Sequence, residues 1–303
     1  MRNIKDFIHF DKINNVVFGG AGFLGSHLID HLIKNGENVL CIDDLSTGDL
    51  NNISHLIDRN EFIFLNHDIV NPIISSILIE KIWLLACPAS PEIYQEDPLK
   101  TIKVNYEGTL NILNLAKTHN SKILFTSTSE IYGLTEINPQ FENMPINLST
   151  FSPRACYSEG KRLAETLIST FSKINQLDIR IARVFNTYGP RMQPNDGRVI
   201  SNFIIQALRG ESLTIYGDGS QTRSFCYVDD LIEGIIRFMN TKFSGPINLG
   251  NPSEYTILEI AKIIIEKINP DVGVIKKKLP QDDPMRRTPC IKLAQEKLRR
   301  VPK

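Results

Sequence analysis

The chain has 303 residues, 42% apolar and 22% charged, with 34 Lys plus Arg against 34 Asp plus Glu. That length suits one large α/β unit with a smaller appended lobe. Balanced charge excludes a global field that gathers nucleic acid or an acidic membrane surface, and no apolar run approaches the roughly 18 residues of a membrane span. The five cysteines are scattered without metal-ligand spacing, which predicts reduced thiols, no bound metal and a cytoplasmic protein. Met1 to Asn15 lacks the apolar core of a signal peptide.

In chain order, Asn14 to Phe18 reads as a buried strand, a glycine turn follows, and Phe23 to Asn35 carries helical apolar periodicity. Strands are predicted at Asn38 to Ile42, Glu61 to Leu65, Lys81 to Leu85, Lys122 to Phe125 and Ile179 to Val184. Helices are predicted at Leu99 to Thr118 and Pro153 to Ser172. The alternation implies a Rossmann-type, doubly wound parallel sheet with helices on both faces and a ligand at the carboxyl ends of the strands. Beyond Val184 the rhythm loosens. Residues 1–185, with a returning segment near 224–250, are expected to bind the cofactor; 186–223 and 251–303 form the C-terminal substrate lobe.

The turn Gly19-Gly20-Ala21-Gly22-Phe23-Leu24-Gly25 spaces its glycines between the first strand and the first helix. Without side chains the backbone can turn tightly, approach a pyrophosphate and aim helix N-terminal amides at it. Asp43 ends the second strand 18 residues after Gly25, a suitable place for a carboxylate that accepts bonds from an adenosine ribose. With Asp44 beside it and no nearby Arg, a 2′-phosphate would be repelled, which favours NAD over NADP. Asp68 follows the third strand and is placed to meet the adenine, or simply to cap a turn.

Tyr157 and Lys161 lie one helical turn apart and share a face. An ammonium beside a phenol favours the phenolate, so Lys161 is expected to lower the Tyr157 pKa and make it a usable base. Thr128, Ser129 and Glu130 follow the strand at Lys122 to Phe125, at the sheet edge where catalytic groups gather. The hydroxyls can bind a substrate hydroxyl, and Glu130 can carry a proton. The same run could also be a helix cap with a first-turn glutamate.

Taken together these residues resemble the extended short-chain dehydrogenase/reductase family, and within it the UDP-glucuronate decarboxylases. The resemblance runs through Pro88-Ala89-Ser90-Pro91, Ser127 to Gly133, Arg154 to Lys161, Phe185 to Met192, Asn195 to Val199 and Gln221 to Phe225. It implies further cofactor contacts at Phe23, Leu24, Ser46, Gly48, Ile69 and Val104. Nucleotide-sugar contacts are implied at Lys103, Asn186, Arg198, Arg223 and Arg287, with Arg287 gripping the diphosphate and Tyr94 near the substrate carboxylate. The implied activity is oxidation at C4 by NAD with Tyr157 as base, loss of the C6 carboxylate, and reduction to UDP-xylose. The family's relatives that eliminate water carry an Asp where this chain has Ser129, which cannot protonate a leaving hydroxyl at neutral pH. A homodimer is implied through the helices at Leu99 to Thr118 and Pro153 to Ser172.

Leu84, Cys87 and Ser158 depart from the family pattern, and the sequence stops where relatives continue for about twenty residues, so a trimmed lobe is expected. Two rivals stand beside the decarboxylase: another nucleotide-sugar enzyme of the same fold, such as a 4-keto-pentose or apiose synthase, dehydratase or epimerase, and a silent NAD-binding protein. Intact Tyr157, Lys161 and Glu130 count against the second.

Overall fold

A computed structural model describes residues 2–7, 11–194, 196–278 and 285–302. Asn195, the first residue of one of the motifs above, lies outside these. The main sheet has seven parallel strands: β1 Lys12–Phe18, β2 Val39–Asp43, β3 Phe62–Asn66, β4 Leu78–Leu84, β5 Lys122–Thr128, β6 Ile179–Val184 and β7 Pro246–Leu249. Their spatial order is β7-β6-β5-β4-β1-β2-β3. The order reverses beside β1, and that reversal opens a crevice above the carboxyl ends of the central strands.

Every residue of β2 is buried, because helices cover both faces of a parallel sheet and leave no polar side for alternation. On one face Leu28, Ile29 and Leu32 of the helix Phe23–Lys34 pack with Leu231, Ile235 and Phe238 of the helix Val228–Met239. On the other, Ile112, Leu113 and Ala116 meet Ala164 and Ile168. The latter two belong to the long helix Ala155–Asn175 that carries Tyr157 and Lys161 on its buried side.

The helix expected at Leu99 to Thr118 is three pieces: Pro98–Lys103, one wide π turn at Val104–Gly108, and Thr109–His119. The extra residue in that turn shifts the helical phase, so a stripe read at a constant 3.6-residue period points differently before and after it.

The lobe has its own core, in which Phe203 and Ala207 of the helix Val199–Leu208 and Ile260, Ala261 and Ile264 of the helix Ile257–Ile268 enclose Leu213 and Ile215. Thr256 and Glu259 start the second of these helices with a reciprocal capping box. Nearby, Thr222–Ser224 pairs antiparallel with Glu254–Thr256 and parallel with Arg286–Arg287, setting Arg223 beside Arg287.

Candidate active site

A single cleft of about 440 Å³ runs from the glycine turn, along the carboxyl ends of the strands, to the lobe. Of the cofactor residues expected from sequence, Gly19, Gly22, Phe23, Leu24, Gly25, Asp43, Asp44, Ser46, Asp68, Ile69, Val104, Tyr157 and Lys161 line it, and Gly48 does not.

Two glycines show why the turn tolerates no side chain. Gly19 has φ +80°, and a Cβ there would lie 2.6 Å from the Ala86 nitrogen. At Gly25 a Cβ would lie 2.1 Å from the Gly19 carbonyl. The helix begins at Phe23 with Gly22 as a cap that has no side chain to offer, so its first amides stay available for an anion. This cradle fits a dinucleotide diphosphate.

Asp43 is tied to both sides of the turn: Oδ2 accepts from the Ala21 amide (3.0 Å) and Oδ1 from the Leu45 amide (2.9 Å). Burial nevertheless pushes its carboxyl above the usual range, and those two bonds only partly offset it. Hydroxyls of a ribose would lower that cost by donating to the remaining lone pairs. Gly48 contributes space, since a Cβ there would come within 2.8 Å of Asp43 Oδ1.

Lys100 is a residue the sequence reading missed. Its Nζ lies 2.7 Å from Asp44 Oδ2 and 3.5 Å from Asp68 Oδ2, joining the loops after β2 and β3. Burial opposes the charge on Asp44, but bonds from Lys100 and Ser46 prevail and hold its carboxyl low. Asp68 also accepts from the Val70 amide (3.0 Å), so it braces its turn as well as lining the cleft.

At the far end Thr128, Ser129 and Glu130 line the cleft with Tyr157 and Lys161. The strand β5 runs three residues beyond its predicted end and delivers them. The Thr128 hydroxyl accepts from the Glu130 amide (3.2 Å) and also hydrogen-bonds Tyr157. Glu130 is ringed by donors: Tyr94 OH at 3.4 Å, Arg287 Nη1 at 3.7 Å and Arg154 Nη1 at 3.9 Å. Arg154 is another group the sequence reading did not single out.

The expected lowering of the Tyr157 phenol by Lys161 is corrected. Burial pushes the phenol up, reinforced by Cys87 and Glu130, while the bond with Thr128 and the charge of Arg198 act in the opposite sense. Lys161 is itself so buried that its ammonium is disfavoured; Nζ donates to the Thr126 carbonyl (2.9 Å) and stands 6.0 Å from the Tyr157 ring centre. Desolvation therefore outweighs the pairing that the one-turn spacing suggests.

Among the nucleotide-sugar candidates, Asn186, Arg198, Arg223 and Arg287 line the cleft. Arg198 donates to the Ala89 carbonyl (2.8 Å) and Ser90 Oγ to the Asp196 carbonyl (2.6 Å), so two of the motifs dock on each other. Arg287 lies beside Glu130, at the end of the cleft lined by Tyr157, whereas the sequence reading gave it the diphosphate. Tyr94 and Lys103 are not in the lining. Tyr94 is fully buried, its ring stacked on Tyr157 at 4.8 Å between centres, and Lys103 is exposed.

The family model described as the NAD dependent epimerase/dehydratase family matches residues 15–250. UDP-glucuronic acid decarboxylase 6 of Arabidopsis thaliana is 48% identical over 100% of this chain and 88% of its own length. Decarboxylase 4 of that plant is 49% identical over 95% of this chain, which spans 65% of the plant protein's length. A UDP-glucuronic acid 4-epimerase from Bacillus cereus, solved with UDP-glucuronic acid and NAD, superposes with a TM-score of 0.84 at 29% identity, covering 96% of this chain and 94% of that one. With its parallel sheet, glycine cradle and Tyr157-Lys161 pair, the chain belongs to the NAD-dependent epimerase/dehydratase family of extended short-chain dehydrogenases/reductases, and NAD is its cofactor.

Proposed function

We propose that this protein decarboxylates UDP-glucuronate to UDP-xylose by way of a 4-keto sugar, with no net consumption of NAD. The observation that carries the reading is Glu130: a carboxylate beside Tyr157, framed by Tyr94, Arg154 and Arg287, and preceded by Ser129 rather than an acid. The similarity to the plant decarboxylases supports it.

The glycine cradle, Asp43 and Lys161 would hold NAD, which when bound would supply a reversible hydride acceptor for C4 and a positive ring that stabilises a nearby phenolate. Tyr157 Oη takes the proton from the C4 hydroxyl, with Thr128 holding the phenol in place. The ketone at C4 is β to the C6 carboxylate, so the C5–C6 bond breaks with its electron pair delocalised into an enolate, and carbon dioxide leaves. A donor oriented by Glu130 delivers a proton to C5. Tyr157 then returns its proton to the C4 oxygen. Arg154 and Arg287 neutralise charge at this end, while Arg223 and Asn186 hold the nucleotide part.

Assembly and location follow the same reading. Leu99 (70% exposed), Ile102, Tyr106 and Leu163 form an apolar surface on the helices at residues 98–119 and 155–175, which supports a two-fold homodimer. No helix among the described residues is long and apolar enough to cross a membrane, and the five thiols are free, which supports a reducing, cytoplasmic setting. Incubation with UDP-glucuronate and NAD, followed by NMR of the sugar, tests the activity: UDP-xylose is expected. An epimerised hexuronate that keeps its carboxylate would move the assignment to a 4-epimerase.

A further inference from the structure

Residues 188–193 run between β6 and the lobe, yet they are fastened to the cofactor half at three points. His27 Nε2 donates to the Pro190 carbonyl (3.0 Å), Arg191 Nη2 pairs with Asp30 Oδ2 (2.7 Å), and Gln193 Nε2 donates to the Thr47 carbonyl (2.7 Å). His27 and Asp30 lie on the helix whose N-terminus forms the diphosphate cradle. Thr47 lies in the loop that follows Asp43 and carries Asp44 and Ser46. The segment therefore spans both walls of the dinucleotide site, and Thr47, Arg191, Met192 and Gln193 all line the cleft.

Two details mark the fastening as built. Arg191 has φ +67°, a left-handed conformation costly for an L side chain and kept only where surrounding contacts over-determine it, as at ligand clamps and switch regions. Asp30 is held from its other side by His55 Nε2 at 2.7 Å, so the ion pair meets a positioned carboxylate. Arg191, Asp30 and Gln193 have no part in the proposed chemistry.

We infer that residues 188–193 are a latch that retains the dinucleotide between the two half-reactions, with the Arg191–Asp30 pair as its pin. The purpose rests on the decarboxylase reading: one sugar carbon is oxidised and later reduced, so a reduced cofactor that escapes leaves a stranded ketone. Admission of NAD requires the three contacts to part and Arg191 to leave its left-handed conformation. Closure restores them.

The test needs no sugar. Protein loaded with NADH is mixed with excess NAD, and the loss of bound NADH fluorescence gives a dissociation rate. Arg191→Ala and Asp30→Ala should each raise that rate about tenfold, and the double variant no further, because the two side chains act as one contact. Gln193→Ala should raise it by a smaller factor, and Arg191→Lys should restore most of the retention. Unchanged rates in both Arg191→Ala and Asp30→Ala would overturn the latch. So would an equal acceleration by Lys12→Ala, which breaks an ion pair with Glu80 at the amino-terminal edge of the sheet, opposite the cleft. Loss of carbon dioxide release would sink the decarboxylase reading while leaving these rates standing.

Discussion

The sheet half and the lobe build the same cleft by different means. In the sheet half, function rides on regular elements: Asp43 ends β2, Thr128 ends β5, and Tyr157 and Lys161 share a face of one helix. In the lobe it rides on short strands whose partners are remote in sequence, as when Arg223 and Arg287 become neighbours across a parallel register. In the proposed reaction the chemistry sits on the rigid, two-sided core, and Arg223, the proposed grip on the nucleotide, sits on a short strand of the lobe. The two halves should therefore fail differently when altered.

The largest effect should come from the sheet half. Tyr157→Phe removes the hydroxyl proposed to take the C4 proton and should lower kcat by about 10³-fold or more with NAD binding retained, as read by steady-state kinetics and NAD titration. Retained turnover would remove the base from the scheme. Next is Arg183, whose Nη2 pairs with Glu165 at 2.8 Å and whose Nη1 donates to Tyr132 OH at 3.1 Å, tying β6 to the helix of Tyr157. Arg183→Met leaves the partly buried Glu165 carboxylate unpaired and should cost about 3 kcal/mol of stability in denaturant unfolding.

Lobe substitutions should be milder and act on substrate affinity. Arg223→Ala should raise KM for the nucleotide sugar about ten- to a hundredfold, in line with loss of a charged contact, and leave the NADH dissociation rate untouched. An effect on kcat alone would move Arg223 from the grip to the chemistry. The smallest effect concerns Glu254, whose carboxyl is held down to about 2 by Arg286, with Thr222 and Thr288 adding to it. A depressed carboxyl stabilises above its unfolded value near 4.3 and loses that contribution as pH falls toward 2. Thermal unfolding at pH 6 should therefore differ by only about 1–2 °C between the parent and Glu254→Gln, and that gap should narrow as pH falls below the unfolded value and close near pH 2.

The same contrast governs what could be read in one dimension. Strands buried on both faces and a glycine turn before a periodic helix leave local signals, and β6 was legible to the residue at Ile179–Val184. Lys100 left none, because it reaches Asp44 across 56 positions of sequence. Tyr94 and Lys103 were read as cleft residues, yet one stacks behind Tyr157 and the other is exposed. A constant helical phase cannot place side chains flanking a π turn such as Val104–Gly108. The direction of the Tyr157 shift was missed for a different reason: spacing reveals the neighbouring ammonium, but only packing reveals how much water both groups have lost.

In the proposed reaction, oxidation at C4 serves to release the neighbouring carboxyl group. UDP-glucuronate labelled with ¹³C at C6, incubated with the NAD-loaded protein, should yield labelled carbon dioxide in step with UDP-xylose, while absorbance at 340 nm returns to its starting value. Label that stays in the nucleotide sugar while C4 is oxidised or inverted would contradict the account.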